Sequence, residues 1–270
     1  MVKSEKHKPE RYFAITRELS KSVGFKKAME NCGWTVIFLK CIVISPKHHL
    51  ELERIVSHII QYNYEACLFL SRNTVDILMA NADNTGNALA LMSKLRSIRT
   101  ICVGPRTKET LSQYGIQSVL VPDSYNTHGL VECLASYKSQ VHRIVIPRSQ
   151  LGDNEIVLSL SRLGFIVDQY QLYDVSTNLD IDNQWKGFFY LLRDKNLDAV
   201  GFTSPSSVKA LFQIVEKQAS NDDLIYLRRH NGLVSIGHKT SAELKKHASG
   251  RIIEAIEHTL NGMVEASKLV

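Results

Sequence analysis

The 270-residue sequence has no apolar run long enough to cross a bilayer: the longest, Thr35 to Ser45, is already broken by Lys40. Its first eleven residues, MVKSEKHKPER, are charged throughout and lack the apolar centre of a secretory signal. That predicts a short, flexible, solvated tail over residues 1–11, a cytoplasmic protein and no membrane partner. Cysteine is sparse. Cys32, Cys41, Cys67, Cys102 and Cys133 form no CxxC pair, and four of them lie in apolar runs as buried free thiols do, which argues against a disulfide framework or a structural zinc. Neither GxGxxG nor GxxxxGK[ST] occurs, so a dinucleotide or a nucleoside triphosphate is poorly supported. HExxH, HxxH and GxSxG are missing too, which argues against metal catalysis and a serine nucleophile on an elbow turn. The net charge of +6 is carried without any dense basic run, too little and too scattered for nucleic acid. It suits an acidic small molecule, where local placement outweighs the sum.

What the sequence does contain is a copy of itself. Tyr12-Phe-Ala-Ile-Thr-Arg17 resembles Arg143-Ile-Val-Ile-Pro-Arg148, and Gly33-Trp-Thr-Val is matched by Gly164-Phe-Ile-Val. Cys67-Leu-Phe-Leu-Ser71 with Val75 pairs with Val200-Gly-Phe-Thr-Ser204 with Val208. Cys102-Val-Gly-Pro-Arg-Thr107 pairs with Ser235-Ile-Gly-His-Lys-Thr240, and His128-Gly-Leu-Val-Glu132 with Asn261-Gly-Met-Val-Glu265. Register held over five blocks predicts two related domains. Within each copy, β-branched runs such as Ala66–Leu70, Thr100–Val103, Arg143–Ile146, Ala199–Phe202 and Leu233–Ile236 read as buried parallel strands. Between them, Leu52, Ile55, Val56, Ile59 and Ile60 follow the spacing of one buried helix face. Gly33, Gly115 and Gly164 stand where a helix gives way to a strand, the usual place of a left-handed cap. The predicted class is α/β, open parallel sheets with helices on both faces.

In such sheets ligands bind beyond the carboxyl ends of the strands. Those ends predict six turns: Thr16-Arg17, Ser71-Arg72-Asn73-Thr74, Gly104-Pro-Arg106-Thr107, Pro147-Arg148-Ser149, Thr203-Ser204-Pro-Ser206-Ser207 and Gly237-His238-Lys239-Thr240. All carry hydroxyls and five carry a cation. Helix-start N–H groups, the positive end of the helix dipole and Ser, Thr or Arg side chains together attract anions. Taken singly, each Ser or Thr is also an ordinary helix N-cap. The six turns on one predicted edge favour a ligand with several negative charges.

Together these motifs resemble the uroporphyrinogen-III synthase family. The residues that carry the resemblance are Phe202-Thr-Ser-Pro-Ser-Ser-Val208, Ser235-Ile-Gly-His-Lys-Thr240, Cys102-Val-Gly-Pro-Arg-Thr107, Ile146-Pro-Arg-Ser149, the Gly164 to Tyr173 strand and Thr259-Leu-Asn-Gly-Met-Val264. It spans about residues 11–267, and the order and spacing of the motifs are more specific than any one of them. The resemblance implies two flavodoxin-like domains that exchange elements, residues 12–40 plus 176–270 and residues 46–170. Linker strands 41–45 and 171–175 would form a hinge, with a substrate cleft between the domains. It further implies a monomeric lyase that needs no metal and no organic cofactor. Its substrate would be hydroxymethylbilane, a linear tetrapyrrole with multiple carboxylates, closed to uroporphyrinogen III with ring D inverted through a spiro intermediate. Haem, sirohaem and cobalamin all derive from that product, and a transient contact with hydroxymethylbilane synthase would supply the substrate.

By the same resemblance, Tyr173 is the candidate that assists departure of the hydroxyl, while Thr240 and Thr107 would bond substrate carboxylates or pyrrole N–H groups. Ser204, Ser206 and Ser71 occupy the corresponding turns. Arg148 and Arg17 match a recurrent pattern, whereas Arg106 and Lys239 are chosen by position. The chain departs from the family pattern at Gly237-His-Lys-Thr240, which lacks a proline and a second small hydroxyl, and at Leu70-Ser-Arg-Asn-Thr74. Another class remains open, a non-catalytic bilobal sensor of an anionic metabolite, as does a different enzyme on the same scaffold.

Overall fold

Short apolar strands that alternate with amphipathic helices can bury both faces of a sheet only by layering helices on each side. The computed structural model describes residues 10–151 and 154–270, so most of the expected tail lies outside the described residues. The chain divides into two units: unit 1 comprises residues up to Val43 together with Ser176–Val270, and unit 2 comprises Ile44–Val175.

Unit 1 opens with β1 (Arg11–Ile15), α1 (Val23–Asn31) and β2 (Trp34–Phe38). It resumes with α8 (Asn183–Arg193), β9 (Ala199–Phe202), α9 (Pro205–Gln218), α10 (Asn221–Arg228), β10 (Leu233–Ser235), α11 (His238–His247), β11 (Ile252–Glu254) and α12 (Leu260–Ser267). Unit 2 runs from β3 (Ile42–Pro46), shared with unit 1 at its start, through α2 (His49–Gln61), β4 (Ala66–Phe69), α3 (Arg72–Asn84) and α4 (Ala88–Ser97). It continues with β5 (Arg99–Cys102), α5 (Pro105–Gln113), β6 (Val119–Leu120), α6 (Thr127–Ala135), β7 (Arg143–Ser149), α7 (Glu155–Arg162) and the long β8 (Ile166–Thr177).

The sheet of unit 1 has the order β11-β10-β9-β1-β2, with every neighbouring pair parallel. Numbered along the chain from β1, that is the 2-1-3-4-5 order of doubly wound folds. The sheet containing most of unit 2 has the order β3-β8-β7-β4-β5-β6. Counted from β7, its five parallel strands repeat the same order, so the two sheets differ in where the chain enters. At the β3 edge, Lys47 N donates to the Leu172 carbonyl (2.9 Å) and Asn178 N to the Cys41 carbonyl (2.8 Å). The partner numbers run in opposite senses, so this edge is antiparallel and the sheet is mixed.

Alternation along the strands feeds two apolar layers per sheet. On β1, Ala14 belongs to a layer with Trp185, Phe202 and Leu211, and Phe13 and Ile15 belong to one with Phe25, Trp34 and Met263. On β4, Cys67 and Phe69 share a layer with Val56, Val75 and Tyr173, while Ala66 and Leu68 share one with Leu130, Ile144 and Leu160. Leu52, Ile55, Val56 and Ile59 are the buried face of α2, as their spacing predicts, with Ile60 packed beside it. Gly33, Gly115 and Gly164 take φ of 84°, 73° and 88°, the left-handed caps expected there. Cys41, Cys67 and Cys102 are buried, Cys32 and Cys133 half-buried, and all five are free thiols.

One buried histidine makes the stability of unit 1 pH-dependent. His230 Nε2 bonds the Leu197 carbonyl at 2.7 Å, and Nδ1 accepts from Gly232 N at 2.9 Å. A second ring proton on Nδ1 would therefore point at an N–H donor. Burial pushes His230 below the usual histidine range, more than its bond to the Leu197 carbonyl and the nearby Asp198 charge raise it. The unfolded chain takes up that proton near pH ~6.5, so the stabilisation is complete above this pH and drains as the pH falls toward the folded value. Thermal melts from pH 7.5 down to 5.5 should show a falling Tm in the parent chain, with a shallower fall in His230→Gln. Equal slopes would remove His230 as the cause.

Candidate functional site

Four of the six predicted turns share one local logic: a strand ends, the N-cap residue stays extended, and a helix starts with N–H groups that need acceptors. The other two differ from the expectation: Pro147-Arg148-Ser149 is not a turn but the last part of β7, whose pairing with β8 runs on through Ser149, and Thr16-Arg17 follows β1 with α1 starting only at Val23. In unit 2, β4 delivers Ser71, the N-cap of α3, whose Oγ accepts from Thr74 N at 3.2 Å. Ser71 Oγ also lies 2.9 Å from Thr74 Oγ1 and 3.1 Å from Tyr173 Oη. The candidate acid and a candidate binding serine, 102 residues apart in the chain, therefore share a hydrogen bond. Tyr173 is 4% exposed, its ring in the apolar layer of α2 and α3. The hydroxyl of Tyr173 is thus aimed by packing on one side and by Ser71 on the other.

The equivalent place in unit 1 has no tyrosine and a denser set of hydroxyls. Ser204 caps α9 by accepting from Ser207 N at 3.1 Å, and Ser207 Oγ returns the bond by accepting from Ser204 N at 3.2 Å. Ser204 Oγ lies 3.0 Å from Ser206 Oγ. Thr16, at the end of β1, places its Oγ1 2.9 Å from Ser207 Oγ, and Thr203 Oγ1 donates to the Thr16 carbonyl at 3.1 Å. This local network satisfies the caps that any helix start requires. Ser204 and Ser206 remain half-buried rather than sealed.

The two glycine turns correspond closely. Thr107 N donates to the Gly104 carbonyl at 3.1 Å and Thr240 N to the Gly237 carbonyl at 3.0 Å, so both threonines sit at the third position of their helices. Thr107 is 4% and Thr240 3% exposed, and among the described residues neither hydroxyl has a hydrogen-bond partner. Neither oxygen is among the fully buried polar atoms left unsatisfied, so each retains access to an incoming group. A nearly buried hydroxyl without an internal partner is costly unless something outside the chain bonds it. Arg106 and Lys239, one residue earlier, are exposed, as is Arg72 at the start of α3. Burial pushes up the pKa of the neighbouring Cys102 thiol, which donates to the Gly104 carbonyl at 3.4 Å, so it is a poor nucleophile.

The arginines divide. Arg17 is half-buried after β1. Arg148 is 3% exposed, and its Nη1 donates to Gln169 Oε1 at 2.7 Å and Asn154 Oδ1 at 3.3 Å. Arg148 thus ties β7 to β8 and to the start of α7, a role its sequence position does not disclose. Two residues missed in the sequence sit over the glycine turns: the Tyr125 ring packs against Gly104 and the His258 ring against Gly237. They precede the matched Gly129 and Gly262 blocks by the same four residues, and extending the repeat backward would have paired them.

Cavities of about 640 Å³ (around Ala28, Ile256 and Leu269) and about 630 Å³ (around Arg54, His58 and Tyr170) lie elsewhere, within unit 1 and unit 2 respectively. None of the predicted site residues lines either one. No group of three or more His, Cys, Asp or Glu among the described residues could hold a metal ion. No helix among them is long and apolar enough to cross a membrane. The site candidates offer hydroxyls, backbone N–H groups and cations, a donor set that can orient an anionic ligand and stabilise developing charge.

Residues 24–265 match the family described as Uroporphyrinogen-III synthase HemD. The fold is similar to uroporphyrinogen III synthase of Thermus thermophilus, in a mutant crystal form, with a TM-score of 0.67 at 17% identity, covering 96% of this chain and 98% of that one. It is also similar to uroporphyrinogen-III synthetase of Helicobacter pylori, with a TM-score of 0.59 at 14% identity, covering 96% and 99%. In sequence, the chain is 22% identical over 254 residues to a protein of Methanothermobacter thermautotrophicus named as a provisional uroporphyrinogen-III synthase, covering 94% of this chain and 96% of that protein. With the family match running through both units, the chain belongs to the uroporphyrinogen-III synthase family.

Proposed function

We propose that the chain converts hydroxymethylbilane to uroporphyrinogen III by cyclodehydration with inversion of ring D. The observation that supports it most directly is the pair of nearly buried, unpartnered hydroxyls, Thr107 and Thr240, at matched helix starts in a member of this family. In this reading the exposed cations Arg106 and Lys239 and the helix-start N–H groups bind substrate carboxylates. The Tyr173 hydroxyl donates a hydrogen bond to the departing hydroxyl. The hydroxyl takes up one proton as the carbon–oxygen bond breaks and departs as water, leaving ring A an electrophilic azafulvene in its N-protonated form; the proton lost on final reclosure balances the one taken up here. Ring D attacks through its substituted carbon to give a spiro-pyrrolenine, which fragments, recloses with ring D inverted and loses a proton. Unguided closure at the free carbon gives the type I isomer. The protein's contribution is therefore orientation and charge stabilisation.

Product isomer analysis tests the proposal. Freshly generated hydroxymethylbilane is incubated with and without the purified chain, oxidised and separated by chromatography. Predominant type III isomer is the expected result. Only type I at the spontaneous rate, from a folded chain, would overturn the synthase reading and leave binding of an anionic metabolite as the function of these turns.

A further inference from the structure

Two exposed aromatic rings occupy the same place in each unit without sharing an identity. Tyr125 precedes Asn126, the N-cap of α6, and His258 precedes Thr259, the N-cap of α12. A Cβ built on Gly104 would stand 3.5 Å from Tyr125 Cγ, and one built on Gly237 would stand 2.7 Å from His258 Cδ2. Both glycines have extended backbone, with φ of −179° and 163°, so their dihedral angles do not demand glycine. At position 237 the ring does: any side chain there would displace it. Tyr125 is nevertheless 60% exposed, and His258 is exposed too.

A ring pressed edgewise into a core needs no explanation beyond packing. These two lie against backbone and remain exposed to solvent, beside the turns that carry the unpartnered hydroxyls of Thr107 and Thr240. A flat apolar face next to hydrogen-bond donors suits a ligand that is itself a flat ring with polar substituents. The matched positions imply that each unit presents one such face.

We infer that Tyr125 and His258 are specificity-determining residues whose rings stack on pyrrole rings of the substrate while the adjacent turns hold its polar substituents; this rests on the function proposed above. Their replacement acts on substrate binding and on which carbon of ring D is presented, and leaves the fold intact because both side chains are exposed.

The test compares Tyr125→Leu and His258→Leu with Tyr125→Phe and His258→Phe, reading KM, kcat, the type III to type I ratio and Tm. Loss of a stacking face should raise KM by roughly five- to tenfold in each Leu variant, with a larger share of type I product and Tm unchanged. The Phe variants keep the face and should stay within about twofold of the parent chain. Leu variants with parental KM and isomer ratio would overturn the inference, as would Phe variants impaired as much as Leu variants. A parent chain that yields no type III product overturns the underlying function instead, and that is seen before any variant is made.

Discussion

Tyr173→Phe lowers kcat by roughly ten- to a thousand-fold, with little change in Tm, if the Tyr173 hydroxyl donates in the transition state. The substitution removes one oxygen and leaves the ring, so the apolar layer of α2 and α3 keeps its packing. What is lost is a donor whose direction is already set. Tyr173 Oη lies 3.1 Å from Ser71 Oγ, and that oxygen is itself fixed by accepting from Thr74 N. Ser71→Ala is a useful companion because it removes both the partner of the phenol and the N-cap of α3. It should lower activity less than Tyr173→Phe but cost about 1 kcal/mol of stability. A kcat unchanged in Tyr173→Phe would take the tyrosine out of the chemistry and leave family membership untouched.

Gly262→Ala should destabilise unit 1 by about 3 kcal/mol and lower its Tm by roughly 10 °C. A Cβ at position 262 would lie 2.0 Å from the backbone oxygen of Glu257 and 2.9 Å from its carbon. Those are backbone atoms, so relief requires opening the turn between β11 and α12. Opening it breaks the cap in which Thr259 Oγ1 accepts from Gly262 N at 3.0 Å, and shifts Met263 and Val264 in the layer shared with Phe13 and Trp34. Gly129 stands in the same relation to the Ser124 carbonyl, at 2.2 Å. Gly187→Ala is the control. It lies in α8 with nothing within 4 Å of an added Cβ, so alanine should leave stability unchanged or raise it by up to about 1 kcal/mol. A melt of Gly262→Ala that overlays the parent curve would refute the steric account.

These residues also mark how far the sequence is legible. Gly129 and Gly262 are readable as repeated letters, because each stands in a matched block, but the carbonyl that forbids a side chain there is visible only once the turn is closed. The strands were readable because parallel strands covered on both faces are written in continuous apolar runs, as at Cys67–Phe69 and Ala199–Phe202. The antiparallel β3 edge was not, since a strand's letters do not state the direction of its neighbour. At the site, Thr107 and Thr240 follow from the repeat. The pairing of Ser71 with Tyr173 does not, because nothing local couples residues 102 positions apart. Arg148 shows the reverse limit: read as a cation just after a strand it looks like an anion contact, but it lies within β7, and burial against Gln169 and Asn154 gives it an internal task. Tyr125 and His258 escaped notice because a repeat that conserves ring shape but not residue type leaves no shared letter.

The placement of β1 between β2 and β9 has a consequence for synthesis. Tyr12 N donates to Asp198 across a separation of 186 residues. At roughly 5–20 residues per second, the ribosome makes that intervening chain in about 10–40 s. Throughout that interval Phe13 and Ile15 have no β9 to lie beside, while unit 2 can complete its own contiguous core. The nascent chain thus carries a sticky, half-built sheet past a finished one, and folding of unit 1 is timed by the arrival of β9 rather than by the speed of its own helices.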